Sequence, residues 1–167
     1  MKKMRFAGFA AVVVLAGALA GAQDVAQGLA LYNEGRYAEA EPVFRSAAAA
    51  DPEARAWLAA TLVRLSRYAE GEAEASAVLE ASPTNAVAVK ALGEALVMQE
   101  KLDEAVARMS AALAAQNDLA YAYYWRGQAY QRQKQVARMV DDYQAFLKLE
   151  PDAPEAPALK VLLTSLR

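Results

Sequence analysis

Four segments of the chain repeat one arrangement of aromatic, alanine and turn residues, and this repetition limits the possible folds more than any other feature. They read "GRYAEAEPVFRSAAAADP" from Gly35, "SRYAEGEAEASAVLEASP" from Ser66, "EKLDEAVARMSAALAAQN" from Glu100 and "KQVARMVDDYQAFLKLEP" from Lys134. Tyr37, Tyr68, Leu102 and Val136 are 31, 34 and 34 residues apart. The closing residues Pro52, Pro83, Asn117 and Pro151 show the same steps. Two independent markers sharing one period define an internal repeat, and a period of this length belongs to solenoid or array architectures.

Each unit carries two apolar patterns with helical spacing, separated by a short turn near Gly35, Ser66, Glu100 or Lys134. In the third unit Val89, Leu92, Gly93, Leu96 and Val97 follow i, i+3, i+4, i+7, i+8, and Leu102, Ala105, Met109, Ala112 and Leu113 again step by three and four. Two such helices of about 13 residues, joined tightly, lie antiparallel. Apolar residues make up 56% of the chain, and much of that is alanine, which favours helix and occupies little volume. Helices packed closely through small side chains are expected, with no room for a second catalytic domain.

These units resemble the tetratricopeptide repeat family, whose 34-residue unit places a small residue in each helix at the crossing and often ends in proline. The matching residues are Gly28, Leu31, Tyr37, Ala40, Phe44, Ala47 and Pro52 in the first unit, and Leu58, Ala59, Leu62, Tyr68, Val78, Leu79 and Pro83 in the second. The third offers Leu92, Gly93, Leu96, Ala105, Ala112 and Leu113, and the fourth Tyr123, Gly127, Tyr130, Tyr143, Phe146, Leu147 and Pro151. Departures are a second unit three residues short, placed at the start of its first helix, Gly71 in place of alanine, and Arg126 and Met139 where leucine and alanine are usual. The resemblance implies an all-α fold, an α-solenoid of about four helix-turn-helix repeats in a right-handed superhelix. The expected units are 23–54, 55–85, 86–119 and 120–153. Gly28, Ala59, Gly93 and Gly127 are expected where each first helix meets its partner. A C-terminal capping helix over 154–167 would cover the last unit, with Asp152 as N-cap and Leu159, Leu162, Leu163 and Leu166 on one face.

The chain opens with Lys2, Lys3 and Arg5, runs without charge from Phe6 to Gln23 and closes that run on Ala20-Gly21-Ala22. This is the layout of a signal peptide spanning 1–22, cleaved after Ala22; the alternative is an uncleaved anchor, the one way in which the chain would engage a membrane. The expected location is the periplasm or the exterior of a bacterial cell. Cleavage removes three of 18 basic residues, leaving 15 against 20 acidic ones, a net charge of about −5. Scattered cations and an acidic balance disfavour nucleic acid as partner.

Residues suited to catalysis are scarce. Histidine and cysteine are absent, which removes Ser-His and Cys-His nucleophiles, disulfides and thiolate metal sites. No serine is followed three residues later by lysine, and no phosphate-binding glycine loop occurs. Glu70 and Glu74 are spaced to share a hard cation, but the segment "AEGEAEA" is more simply a solvated helix face. No enzyme activity, cofactor or metal is expected.

The aromatic residues of "LAYAYYWRGQAYQR" form two stripes, Tyr121, Tyr124, Trp125 and Gln128 on one and Tyr123, Gly127 and Tyr130 on the other. The family resemblance implies that the second stripe packs into the core and that the first faces a concave groove gripping peptides or partner helices. Carried over residue by residue, that groove comprises Leu29, Tyr32 and Asn33, then Ala60, Val63 and Arg64, then Lys90, Glu94 and Val97, then Tyr121, Tyr124, Gln128, Gln131 and Arg132. The carboxylate clamp of some family members is absent, because its places hold Val25, Leu29, Trp57, Val87 and Ala91. The expected function is an exported protein-interaction scaffold binding an envelope protein or peptide, for instance in assembly of surface structures. The alternative is a self-assembling protein pairing as a homo-oligomer through its C-terminal helix or solenoid ends.

Overall fold

The computed structural model describes residues 25–166. Arg167, the signal peptide expected over 1–22 and the cleavage expected after Ala22 lie outside the described residues. Nine helices follow one another, with no strand among the described residues: α1 (25–33), α2 (Tyr37–Ala47), α3 (Pro52–Arg64), α4 (Tyr68–Ala81), α5 (Ala86–Met98), α6 (Leu102–Ala115), α7 (Ala120–Arg132), α8 (Val136–Leu149) and α9 (Ala156–Ser165). None of them is long and apolar enough to cross a membrane.

Each hairpin turn is set by one residue in left-handed backbone. Gly35, Ser66, Glu100 and Lys134 have φ of 76°, 62°, 59° and 61°. At all four, the amide of the left-handed residue and the next amide bond back to carbonyls of the ending helix, as in Gly35 to Tyr32 and Arg36 to Leu31. This reversed pattern satisfies the last carbonyls of the first helix and turns the chain into the second. Starts are marked as well: the Asp51 carboxylate accepts from the Glu53 amide at 2.8 Å and Asn85 accepts from the Ala88 amide at 2.9 Å, each capping a first helix.

The helices stack in two layers. Among the first helices α5 touches both α3 and α7, while α4 and α6 each pack between the first helix of their own unit and that of the next. Phe44, Leu58, Leu92, Leu96, Met109, Tyr143 and Phe146 are fully buried between the layers. A Cβ on Gly28 would fall 2.6 Å from the Phe44 ring and one on Gly127 2.7 Å from Tyr143. Both glycines therefore lie where the two helices of one unit cross.

Several expectations are corrected. Gly93 is crowded first by the next unit, for its Cβ would meet Trp125 of α7 at 2.6 Å. The three missing residues fall at the end of α2, which has 11 residues where α4, α6 and α8 have 14, and α3 is as long as α5 and α7. Pro52 opens α3, so a boundary between residues 54 and 55 cuts that helix. Glu155, not Asp152, stands at the start of α9, and it makes no side-chain capping bond.

The departures from the family pattern acquire physical causes. A methyl on Gly71 would meet Val63 at 2.7 Å, so the smallest residue is required there. Arg126 pairs with the buried Asp142 through Nε at 2.8 Å and Nη2 at 2.7 Å, and its Nη1 donates to Ser110 at 3.0 Å. One guanidinium thus ties α7 to α8 and α6. At the C-terminal end Leu159 is buried and Leu162 and Leu163 are half-buried against the α7–α8 unit, whereas Val161 and Leu166 are exposed.

Candidate functional site

The layer of first helices presents a continuous face with two hollows. Tyr32 of α1, Trp57, Ala60, Val63 and Arg64 of α3, and Val87, Lys90, Ala91 and Glu94 of α5 surround the first. Its floor is apolar, and Tyr32 stands edge-on to Trp57 with ring centroids 5.2 Å apart. At its rim Arg64 Nη2 meets Glu94 Oε2 at 2.8 Å. Burial pushes the Glu94 carboxyl above its ordinary range, an effect opposed by Arg64 and then Lys90. Burial also raises the Tyr32 phenol.

Lys90 and Tyr121 separate this hollow from the second. The Lys90 ammonium lies 3.6 Å from the centroid of the Tyr121 ring, and the Tyr121 hydroxyl donates to Glu155 Oε2 at 3.2 Å. Desolvation first, then the Glu155 charge, pushes the Tyr121 phenol up to about 12. Tyr124, Gln128 and Gln131 of α7 line the second hollow with Glu155, Ala158, Leu159 and Leu162. Gln128 Nε2 donates to the Tyr124 hydroxyl at 3.1 Å, and the Tyr143 hydroxyl donates to Gln131 Oε1 at 2.6 Å. Tyr121 and Tyr124 rest on Phe146, with centroids 5.4 and 5.2 Å away. These rings carry part of the core while showing an edge to the groove.

The first hollow therefore gathers Tyr32, Ala60, Val63, Arg64, Lys90 and Glu94, and the second gathers Tyr124, Gln128 and Gln131. Five expected residues lie in neither, and Tyr121 is the one that stands between the two. Val97 is fully buried in the central core and has no surface to offer a ligand, which removes it from the groove. Leu29 packs on the first-unit core, and Asn33 is exposed at the end of α1. Arg132 reaches past the face to the Val97 carbonyl at 3.0 Å and to the Glu100 carboxylate.

Residues that this reading missed fall into two kinds. Trp57, Val87 and Ala91 occupy the places of the absent carboxylate clamp, and the same bulk and apolarity that rule out a clamp make the hollow's floor. Glu155 comes from outside the repeats, where no period assigns it a place. Trp125, which shares a stripe with Tyr121, turns aside because Gly93 leaves room for its ring, and its indole Nε1 is buried without a protein partner among the described residues. Glu70 and Glu74 do not share a ligand: Glu70 pairs with Arg67 and Glu74 with Arg55. Among the described residues no cluster of three acidic groups could hold a metal ion. A further hollow on the outer layer, between α4 and α6, is lined by Leu79, Glu80, Pro83, Arg108, Ala111 and Ala112. It lacks the convergence of polar groups from several helices that marks a recognition surface.

Comparison with known proteins agrees with this geometry. Family models described as tetratricopeptide repeat match residues 25–86 and 120–153, and one described as TPR repeat matches 93–134. The search of curated proteins found no match. Among solved structures, the chain is similar to TTC0263, a thermophilic TPR protein of Thermus thermophilus, at 25% identity over 87% of this chain and 82% of that one, with a TM-score of 0.78. It shares its fold with YrrB, described as a TPR protein with an unusual peptide-binding site (21% identity, 84% and 74% covered, TM-score 0.66). It also shares it with MamA from Desulfovibrio magneticus RS-1 (21%, 85% and 84%, 0.64). With three matches reaching from residue 25 to 153 and helix pairs joined by four alike turns, the chain belongs to the tetratricopeptide repeat family.

Proposed function

We propose that this protein is a non-enzymatic scaffold that binds a segment of another protein along the face of its first helices. The observation that carries this reading is the first hollow, an apolar floor bordered by polar groups from three consecutive units. Such a combination lets an extended segment bury an anchor while its register is fixed by polar contacts. The family is in general a non-enzymatic protein-interaction module, although fold alone assigns no partner. The charged start and apolar run of residues 1–22 support export, so the partner is sought in a bacterial cell envelope or outside the cell. Assembly of surface structures is one setting for it.

Crosslinking in the native envelope tests this, comparing the wild-type chain with Ala60→Trp, which fills the hollow, and Arg64→Glu, which reverses a rim charge. Both variants are expected to keep their helical content and lose the partner. Unchanged capture at equal folding would refute the assignment of this face.

A second reading is supported by the outer side of α9, where Val161 is 72% and Leu166 47% exposed. Exposed apolar side chains near the end of a helix suit pairing of copies. Light scattering distinguishes it: a concentration-dependent dimer lost in Val161→Glu with Leu166→Glu favours self-assembly, and a monomer at all concentrations excludes it.

A further inference from the structure

The first helices carry five cations, Arg55, Arg64, Lys90, Arg126 and Arg132. Four are ion-paired, with Glu74, Glu94, Asp142 and Glu100 in turn. Lys90 is the exception: no carboxylate among the described residues lies within ion-pair distance, and its ammonium donates no hydrogen bond there. It is half-buried, lines the first hollow and sits over the face of Tyr121 at 3.6 Å. The acids that could have served it are engaged elsewhere, Glu94 by Arg64 at 2.8 Å and Glu155 by the Tyr121 hydroxyl at 3.2 Å.

A half-desolvated ammonium with unused donors is costly unless something supplies an acceptor. A ring face offsets part of that cost. Burial accordingly holds Lys90 below the usual lysine range. A carboxylate delivered to Lys90 would gain charge-assisted hydrogen bonds without displacing an existing pair, whereas a cationic group would meet Lys90 and an already neutralised Glu94.

Resting on the function proposed above, we infer that the first hollow recognises an internal, extended peptide segment carrying an aliphatic side chain and, two residues away, an aspartate or glutamate. The aliphatic group enters between Trp57, Ala60, Val63, Val87 and Ala91. In an extended strand residues i and i+2 point to the same side, about 6.5–7 Å apart. Lys90 lines the same hollow as the apolar floor, and i+2 is the nearest side chain on the anchor's side of the segment.

The test is selection from a library of nine-residue peptides, blocked by acetylation and amidation so that no terminal charge takes part, with the five central positions randomised. The wild-type chain is expected to enrich an aliphatic residue with an acid two positions away. Lys90→Met should lose the acidic preference and keep the aliphatic one, with affinity for a selected peptide falling about tenfold, and Lys90→Arg should restore it. Ala60→Trp, with its helical content checked by circular dichroism, should lose the aliphatic preference. Acidic enrichment that persists in Lys90→Met, or enrichment without any acid, overturns this inference and leaves the binding face standing if Ala60→Trp still abolishes selection. A pool unchanged in both variants, or no enrichment at all, overturns the inference and the binding face together.

Discussion

Ser66, Glu100 and Lys134 hold left-handed backbone that Gly35 adopts without strain, so three of the four turns carry a steric cost of about 1–2 kcal/mol. Lys134→Gly removes that cost and loses part of the gain to a freer unfolded chain. Chemical denaturation should show it more stable by about 0.5–1 kcal/mol. The Arg126–Asp142 pair has the opposite character. Asp142→Ala strands a half-buried guanidinium and should cost about 3–5 kcal/mol, whereas Arg126→Met with Asp142→Leu should recover most of that loss. The turn positions were legible in the sequence because the repeat aligns all four turn residues, but their left-handed backbone was not, since Ser66, Glu100 and Lys134 are not residue types that signal it. Nor was the ion pair, because its members are 16 residues apart and no period links them.

Phenol burial sets a pH dependence at the same scale. Tyr121 is pushed up to about 12 by desolvation and Glu155, and burial raises Tyr124 and Tyr143 as well. The folded state therefore favours the protonated phenol, while the unfolded chain ionises near 10. Stability is fully present below pH 10 and falls as pH rises from there through about 12. Urea midpoints at pH 8 and pH 11 should show this fall, and Tyr121→Phe should lessen it.

At the scale of elements, α9 covers the apolar end of the α7–α8 unit. Its buried Leu159 joins a cluster with Tyr130, Tyr143 and Phe146. Leu159→Ala should cost about 2 kcal/mol, measured by thermal melting, and hydrogen exchange should then rise first in α7 and α8, because each unit is stabilised only by its neighbours. The apolar spacing of Leu159, Leu162 and Leu163 announced this helix, but its start did not follow from the sequence. Asp152 is a good cap by type, yet Pro154 and Pro157 and the turn over 151–155 delay the helix to Ala156. The short α2 was misplaced for a related reason: a deletion within a run of alanines leaves the apolar period unchanged on either side, and only the helix lengths reveal where it falls.

At the scale of the whole molecule, two layers of helices divide the labour. The outer layer locks each unit to the next through pairs such as Arg67 with Glu41 and Lys101 with Glu72, and the inner layer presents the face with the two hollows. Periodicity showed two stripes along the first helix of the last unit, and the family resemblance implied which of them faces the groove. Neither was enough to separate Val97, which packs inward, from Arg64, which does not, because groove and core meet along the same helix edge. The most direct test of the account is photocrosslinking from single positions in the native envelope, with the probe at Asn33, Gln128 or Gln131 on the inner layer, where it leaves the floor of the first hollow open, and at Ala73, Ala107 or Gln144 on the outer. The account predicts one discrete protein adduct from the inner positions and none from the outer ones. Adducts of equal yield from both layers, or from the outer layer alone, would contradict it.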